Sequence, residues 1–206
     1  SSWSVRAWLA LTEAGIAFET ETIPMFLDAW DERMRARLPA GKVPTLIDGD
    51  LAIHESLAIC EYAAELEPEA RLWPESRAAR ARARAISCEM ASGFASLRRD
   101  LPMNARARSA PRALSDETRA QVQRSFALWK DCLRVARGGP FLFGAFTIAD
   151  AMYAPVVSRY RTYGVPLEGA VRDYADALWS RPSVVRWLEL AATAPAIPKY
   201  DALLDA

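Results

Sequence analysis

The spacing of apolar positions divides the chain into a mixed first part and a helical second part. Apolar residues at helical spacing run through Trp3–Ala14 and stop at Gly15, which predicts a first helix. Ala17–Ile23 alternates apolar and polar residues and predicts a strand, and the loosely periodic Phe26–Leu38 predicts a short helix. The first third of the chain therefore predicts an α/β domain.

Lys42–Leu57 contains the strongest local signals. Pro44 cannot donate a backbone hydrogen bond, and it holds Val43 in an extended conformation. Two short apolar runs, Thr45–Ile47 and Leu51–Ile53, flank the residues Asp-Gly-Asp, which predicts a strand, a tight turn and a second strand. An apolar run at helical spacing follows, so a helix is predicted directly after the hairpin.

The ends of this hairpin suit a small peptide ligand. The extended backbone at Val43 presents an N–H and a C=O that can pair with a peptide as an extra strand. Ser56 begins the following predicted helix, whose N-terminus can hold a carboxylate, and Glu55 beside it can hold an ammonium group. A ligand with an α-amino acid end and a peptide bond would fit both. The alternative, a hairpin and helix that serve only folding, is equally consistent with these residues.

Helical periodicity continues through the second part of the chain. Two prolines interrupt the pattern, so we place a linker at residues 69–74 between the domains 1–68 and 75–206. Thr147 and Asp150 have the spacing of a capping box, to which we assign a role in folding. The five helices predicted after the linker are Glu75–Leu101, Leu114–Ala136, Thr147–Tyr163, Leu167–Ser180 and Pro182–Thr193.

The composition argues against several classes of partner. The 206 residues are 51% hydrophobic and carry 26 basic and 26 acidic side chains, which favours neither nucleic acid nor a membrane as the principal partner. No apolar run approaches the roughly 18 residues of a membrane span. Three scattered cysteines, Cys60, Cys88 and Cys132, suit a reducing compartment, so a cytoplasmic location and no metal site are predicted.

Two serines, Ser1 and Ser2, lie directly before the first predicted helix. A hydroxyl there can donate to a thiolate, whose negative charge the helix dipole favours. In such settings the pKa of a thiol falls from about 8.5 to about 3.5–7.5. The alternative is that these serines only cap the helix, which is a common role.

These motifs together resemble the cytosolic glutathione S-transferases, in their serine-type, zeta-like branch. The resemblance rests on Val-Pro-Thr-Leu before the turn, Ile-His-Glu-Ser-Leu after it, and Ser-Ser-x-x-x-Arg at residues 1–6. It implies a thioredoxin-like N-terminal domain followed by an all-α domain. In that fold one further strand, the first, should precede Ser1.

The resemblance also implies a glutathione site in the hairpin. It implies that Pro44 follows a cis peptide bond and that Val43 pairs with the cysteinyl part of glutathione. Glu55 and Ser56 would hold the γ-glutamyl end. Lys42, next to Val43, is grouped with this site.

Catalysis is implied for the first residues of the chain. Ser1 would contact the glutathione sulfur, Ser2 would be a second donor or a reserve, and Arg6 would give structural or electrostatic support. The thiolate would attack a small electrophile in a homodimeric enzyme. One alternative is a glutathione-dependent cis–trans isomerase of the maleylacetoacetate type, which the zeta-like sequence motifs favour. The other is a non-catalytic scaffold.

The resemblance also implies a second-substrate pocket near the end of the long predicted helix, where Arg98, Met103 and Asn104 lie. Arg159 and Arg161, on a later helix, are candidates to face it. Arginines there would attract an anionic electrophile or hold glutathione carboxylates. The alternative, a solvated helix end, is at least as consistent with the sequence.

Overall fold

The computed structural model describes residues 1–23, 30–38, 40–136, 138–202 and 204. The first part of the chain contains α1 (Ser4–Glu13), α2 (Trp30–Arg37), β1 (Thr45–Asp48), β2 (Leu51–His54) and α3 (Ser56–Leu66). A 3₁₀ turn at Pro68–Ala70 follows. The second part contains α4 (Arg77–Ser92), α5 (Ala95–Asp100), α6 (Asp116–Val135), α7 (Ile148–Thr162), α8 (Gly169–Trp179), α9 (Pro182–Thr193) and α10 (Pro198–Asp201).

The predicted hairpin is confirmed. Strands β1 and β2 pair antiparallel, with Thr45 opposite His54 and Asp48 opposite Leu51. Gly49 turns the chain with a φ of +57°, a conformation that costs glycine little. The Tyr62 hydroxyl donates to the Asp48 carboxylate at 2.6 Å and so ties the turn to α3.

The strand predicted at Ala17–Ile23 is wrong. Residues 17–23 form no strand, and in the part of the chain that the structure describes the sheet consists of β1 and β2 alone. An alternating pattern becomes a strand only when a neighbour completes its ladder of hydrogen bonds. Among the described residues β1 and β2 pair only with each other, so residues 17–23 have no strand partner. Of the predicted helix Phe26–Leu38, the first residues lie outside the described ranges, and α2 occupies most of the remainder.

The single long helix predicted at Glu75–Leu101 is also wrong, because the chain breaks between α4 and α5. Phe94 adopts a φ of +57°, and its buried ring contacts the Tyr153 ring edge-on at 6.5 Å. Gly93 is required there, since a Cβ would lie 2.8 Å from the Glu89 carbonyl oxygen. The break turns Arg98 back, so that its guanidinium donates to the carbonyls of α4 near Gly93.

Helix α7 forms the centre of the molecule and packs against α1, α4 and α8. Its predicted capping box is confirmed, because the Asp150 carboxylate accepts from the Thr147 N–H at 2.8 Å and from its hydroxyl at 2.9 Å. The Leu142 N–H donates to the same carboxylate at 3.1 Å. Burial raises the pKa of Asp150 to about 6, although these hydrogen bonds act in the opposite direction.

The remaining predicted helices are confirmed within one or two residues at either end, except that α10 was not predicted. The architecture is a thioredoxin-like first part, with a two-stranded sheet and helices, followed by a helical second part. Within the described ranges, no helix is both long and apolar enough to cross a bilayer.

Candidate functional site

Ser1 lies at the start of α1 with its side chain exposed. Its Oγ accepts a hydrogen bond from the Trp3 N–H at 3.2 Å, and its carbonyl accepts from the Val5 N–H at 3.2 Å. Since a hydroxyl has one proton and two lone pairs, the Ser1 hydroxyl keeps its proton for donation. The structure thus holds Ser1 as a potential donor at the helix N-terminus.

Ser2 is half-buried and reaches the second part of the chain. Its Oγ lies 3.4 Å from Nη2 of Arg159, which donates to it from helix α7. The two neighbouring serines therefore differ in environment. Ser1 faces solvent, while Ser2 contacts a buried cation.

Two arginines lie over the ring of Trp3, and a third lies near both of them. The Arg6 guanidinium lies 4.4 Å from the ring centroid and that of Arg98 lies 5.5 Å from it. Arg6 is fully buried, and its Nε donates to the Met152 carbonyl at 3.2 Å. Arg159, 4% exposed, completes what we call the arginine cluster: Arg6, Arg98 and Arg159.

The arginine cluster has no ion-pair partner among the described residues, and the one carboxylate near it is that of Glu55, which stabilises the charge of Arg6 from a distance. Burial, and then the nearby Arg98, lowers the pKa of Arg6 to about 10. Burial, followed by repulsion from Arg6 and Arg98, lowers the pKa of Arg159 to about 9. Within the described chain, Arg6 Nη1 and Arg159 Nε also lack a hydrogen-bond partner. Arg6 and Arg159 therefore remain cationic at neutral pH, so the site favours an anion.

The Val43–Pro44 peptide bond is cis, as the resemblance implies. The loop before it is fixed by Thr45, whose hydroxyl donates to the Lys42 carbonyl at 2.8 Å. Neither the N–H nor the C=O of Val43 is hydrogen-bonded to another described residue. The backbone at Val43 can therefore pair with an extended peptide.

Glu55 and Ser56 lie at the N-terminus of α3. Glu55 has a φ of +79°, unusual for a residue with a Cβ, and its carboxylate accepts from the Leu57 N–H at 3.2 Å. Ser56 is fully buried, and its Oγ has no hydrogen-bond partner among the described residues. Because a buried hydroxyl without a partner loses about 1–3 kcal/mol of hydration, a ligand group that supplied one would be stabilised there.

The structure separates the residues expected for the second substrate. Arg98 joins the arginine cluster. Met103 lines a small apolar pocket with side chains of α1, α7 and α9, and the Asn104 amide donates to Asp201 of α10 at 2.8 Å. Arg161 points away and pairs with Asp176 of α8. The assignment of Met103 and Asn104 to a substrate pocket stays a prediction.

Sequence reasoning missed the contact between Ser2 and Arg159, which are 157 positions apart. It also missed Trp3 as the ring on which two arginines lie. One signal was present: Arg159 occupies a helix whose other side chains are almost all buried. An arginine in such a helix must find polar partners inside the protein.

Comparison with protein families identifies the chain. Residues 1–66 match the glutathione S-transferase N-terminal domain, and residues 76–193 match the glutathione S-transferase C-terminal domain. The chain belongs to the glutathione S-transferase family, and the match indicates a glutathione-dependent enzyme.

Individual relatives are similar over different shares of the chain. A probable maleylacetoacetate isomerase of Caenorhabditis elegans is 40% identical over 93 residues, which are 45% of this chain and 42% of that protein. This likeness supports the zeta-like branch, although it spans under half of the relative. A stringent starvation protein A homolog of Pasteurella multocida is 27% identical over 193 residues, which are 89% of this chain and 84% of that protein.

Among solved structures, a glutathione transferase homolog from Burkholderia with bound glutathione superposes with a TM-score of 0.68. It is 25% identical, and the match covers 94% of each chain. No group of three or more His, Cys, Asp or Glu side chains within the described part of this chain is placed to hold a metal ion.

Proposed function

We propose that the protein is a glutathione transferase that stabilises the glutathione thiolate for attack on a small electrophile. The observation that carries this proposal is the pair of serine hydroxyls at the start of α1, beside an arginine cluster that has no ion-pair partner among the described residues. Donors and positive charge near a thiol both favour its ionised form. Such a site needs no other group to make a thiol nucleophilic.

Glutathione would bind along the cis-proline loop. Its cysteinyl part pairs with the backbone of Val43, which is free to accept an added strand. Its γ-glutamyl end lies at the N-terminus of α3, where Ser56 gains a partner and Glu55 faces the ammonium group. Lys42 adjoins this site. The Burkholderia homolog, which holds glutathione in a similar fold, supports the assignment.

The proposed reaction is a substitution at an electrophilic carbon by the glutathione sulfur. The thiol loses its proton to solvent, Ser1 donates a hydrogen bond to the thiolate, and Ser2 is the second donor. The sulfur then forms a bond to an electrophilic carbon, whose leaving group departs with the electron pair. Positioning and thiolate stabilisation supply the rate enhancement.

Isomerisation of an unsaturated acid is a second candidate, which the arginine cluster favours because guanidinium groups bind carboxylates well. The thiolate adds to the double bond, rotation follows about the resulting single bond, and the thiolate is expelled. Nothing is consumed. The nematode relative, a probable maleylacetoacetate isomerase, is consistent with this chemistry.

Binding and turnover test the proposal together. Calorimetry with glutathione on the full-length protein should show binding, and conjugation of a chlorinated dinitrobenzene should exceed the uncatalysed rate. Faster isomerisation of a cis diketo acid than conjugation would favour the second candidate. Absence of binding would refute both reactions and leave the scaffold.

We also propose that the protein is a cytoplasmic homodimer. The hairpin exposes two large apolar side chains, Ile47 at 55% and Leu51 at 48%, which a second copy could cover. The arginine-rich helix α4 would lie at the same interface. A dimer mass in light scattering would support this, and a monomer at every concentration tested would refute it.

A further inference from the structure

Arg159 joins the end of α7 to the start of α1. Its guanidinium is fixed by Nη1, which donates to the Pro155 carbonyl one turn earlier on the same helix at 3.1 Å. Nη2 then donates to the Ser2 hydroxyl at 3.4 Å. Since Arg159 is 4% exposed, the surrounding core holds this direction.

We infer that Arg159 is a positioning residue for thiolate stabilisation and that it acts through Ser2. It occupies one lone pair of the Ser2 oxygen and leaves the hydroxyl proton to be donated to the glutathione sulfur. This inference rests on the proposed function. Arg159 lies outside the Ser-Ser-x-x-x-Arg motif of the first six residues.

The physical reason is that a hydroxyl has one proton and two acceptor lone pairs. A donor held on one lone pair restricts the hydroxyl rotor, and a cationic donor polarises the O–H bond, so the hydroxyl becomes a stronger donor. The guanidinium also places a positive charge behind the hydroxyl, which favours a negative charge in front of it. Both effects act on the thiolate and leave the neutral thiol almost unaffected.

A purely structural role is the competing explanation. In that case Arg159 only ties the end of α7 to the residues before α1, and its loss would change stability without changing the ionisation of the bound thiol. The two roles are separated by the pKa of bound glutathione, which can be followed from the ultraviolet absorbance of the thiolate.

The experiment compares Arg159→Met with Arg161→Met in the full-length protein. Arg161 is the matched control, because it lies on the same helix but pairs with Asp176 at the surface. We expect Arg159→Met to raise the pKa of the bound thiol by about one pH unit, with glutathione affinity for the neutral thiol retained. Arg161→Met should leave that pKa unchanged, and Arg159→Lys should restore part of the shift.

A double variant tests whether the effect passes through Ser2. If it does, Arg159→Met added to Ser2→Ala should raise the thiol pKa less than it does alone. Equal and additive shifts would overturn the route through Ser2. Should Arg159→Met fail to fold, Arg159→Lys replaces it in the same cycle, with a smaller expected shift.

The outcomes distinguish this inference from the proposed function. If the unmodified protein binds no glutathione, both are refuted. If it binds glutathione with a lowered thiol pKa, and Arg159→Met and Arg159→Lys leave that pKa unchanged, only the role of Arg159 is refuted.

Discussion

The two ends of helix α7 carry buried charges that differ in how completely they are compensated. At the N-terminal end, the Asp150 carboxylate accepts hydrogen bonds from Leu142 and Thr147. At the C-terminal end, Arg159 lies beside two further arginines with no carboxylate partner among the described residues. The helix dipole favours a negative charge at the N-terminal end, where Asp150 lies, and a positive charge at the C-terminal end, where Arg159 lies. The carboxylate at the first end has its hydrogen-bond partners within the chain, whereas the guanidinium at the second has no ion-pair partner in the described chain, and we propose that function lies there.

The largest expected effect is the loss of stability when the buried carboxylate at the N-terminal end of α7 is removed. Asp150→Ala leaves three buried donors without an acceptor and should lower the free energy of unfolding by about 3 kcal/mol or more. Urea denaturation measures the change. Asp131→Ala, at a surface ion pair with Arg134 on α6, should cost less than about 1 kcal/mol. Equal losses in the two variants would show that the hydrogen bonds to Asp150 contribute no more to stability than a surface ion pair.

The next largest effect is expected on turnover, from the loss of the Ser1 hydroxyl near the arginine cluster. Ser1→Ala should lower turnover about a hundredfold, the usual loss of one donor to a developing anion, with little change in glutathione affinity. Steady-state kinetics and calorimetry measure the two quantities. If Ser1→Ala is silent and Ser2→Ala loses the same factor, the catalytic hydroxyl is Ser2 instead.

Glutathione affinity gives a smaller effect at α3. Ser56→Ala removes the buried hydroxyl that the γ-glutamyl end would satisfy, and we expect about tenfold weaker binding. Glu65→Ala, on the exposed end of the same helix, is the control. Unchanged affinity for Ser56→Ala by calorimetry would exclude Ser56 from the site.

Removing half of the capping box should have an intermediate effect on stability. Thr147→Ala takes away one hydroxyl donor and keeps the backbone N–H bond to Asp150, so it should cost about 1 kcal/mol. Thermal unfolding measures the change. A loss as large as that of Asp150→Ala would mean that the hydroxyl, and not the carboxylate, organises this end.

The smallest expected change in stability belongs to the arginine cluster. Arg159→Met removes a buried cation that its neighbours repel, so the free energy of unfolding should stay within about 1 kcal/mol of the original or rise. Urea denaturation of the variant without glutathione measures this. A loss of several kcal/mol would show that Arg159 is a structural tie like Asp150.

The sequence predicted the elements that depend on neighbouring residues. The hairpin at residues 45–54, helix α1 and the capping box at Thr147 follow from turn chemistry and periodicity. The predictions were wrong where contacts between residues distant in sequence determine the local structure. The break at Gly93 depends on the burial of Phe94 against α7, and the alternating residues 17–23 depend on a strand neighbour.

The same division applies to the candidate site. Ser1, Ser2, Glu55 and Ser56 lie in local motifs and could be named from the sequence. The contact of Ser2 with Arg159 could not, because periodicity carries no information about side chains brought together across 157 positions. Arg6, Arg98 and Arg159 were each named from the sequence, but their meeting in one cluster was not predicted.

The most direct test of thiolate stabilisation is the titration of glutathione bound to the unmodified full-length protein. A free thiol has a pKa of about 8.5, and a stabilised one falls to about 3.5–7.5. We expect the ultraviolet absorbance of the thiolate to appear with an apparent pKa near or below 7. Bound glutathione that titrates like the free thiol would contradict the account.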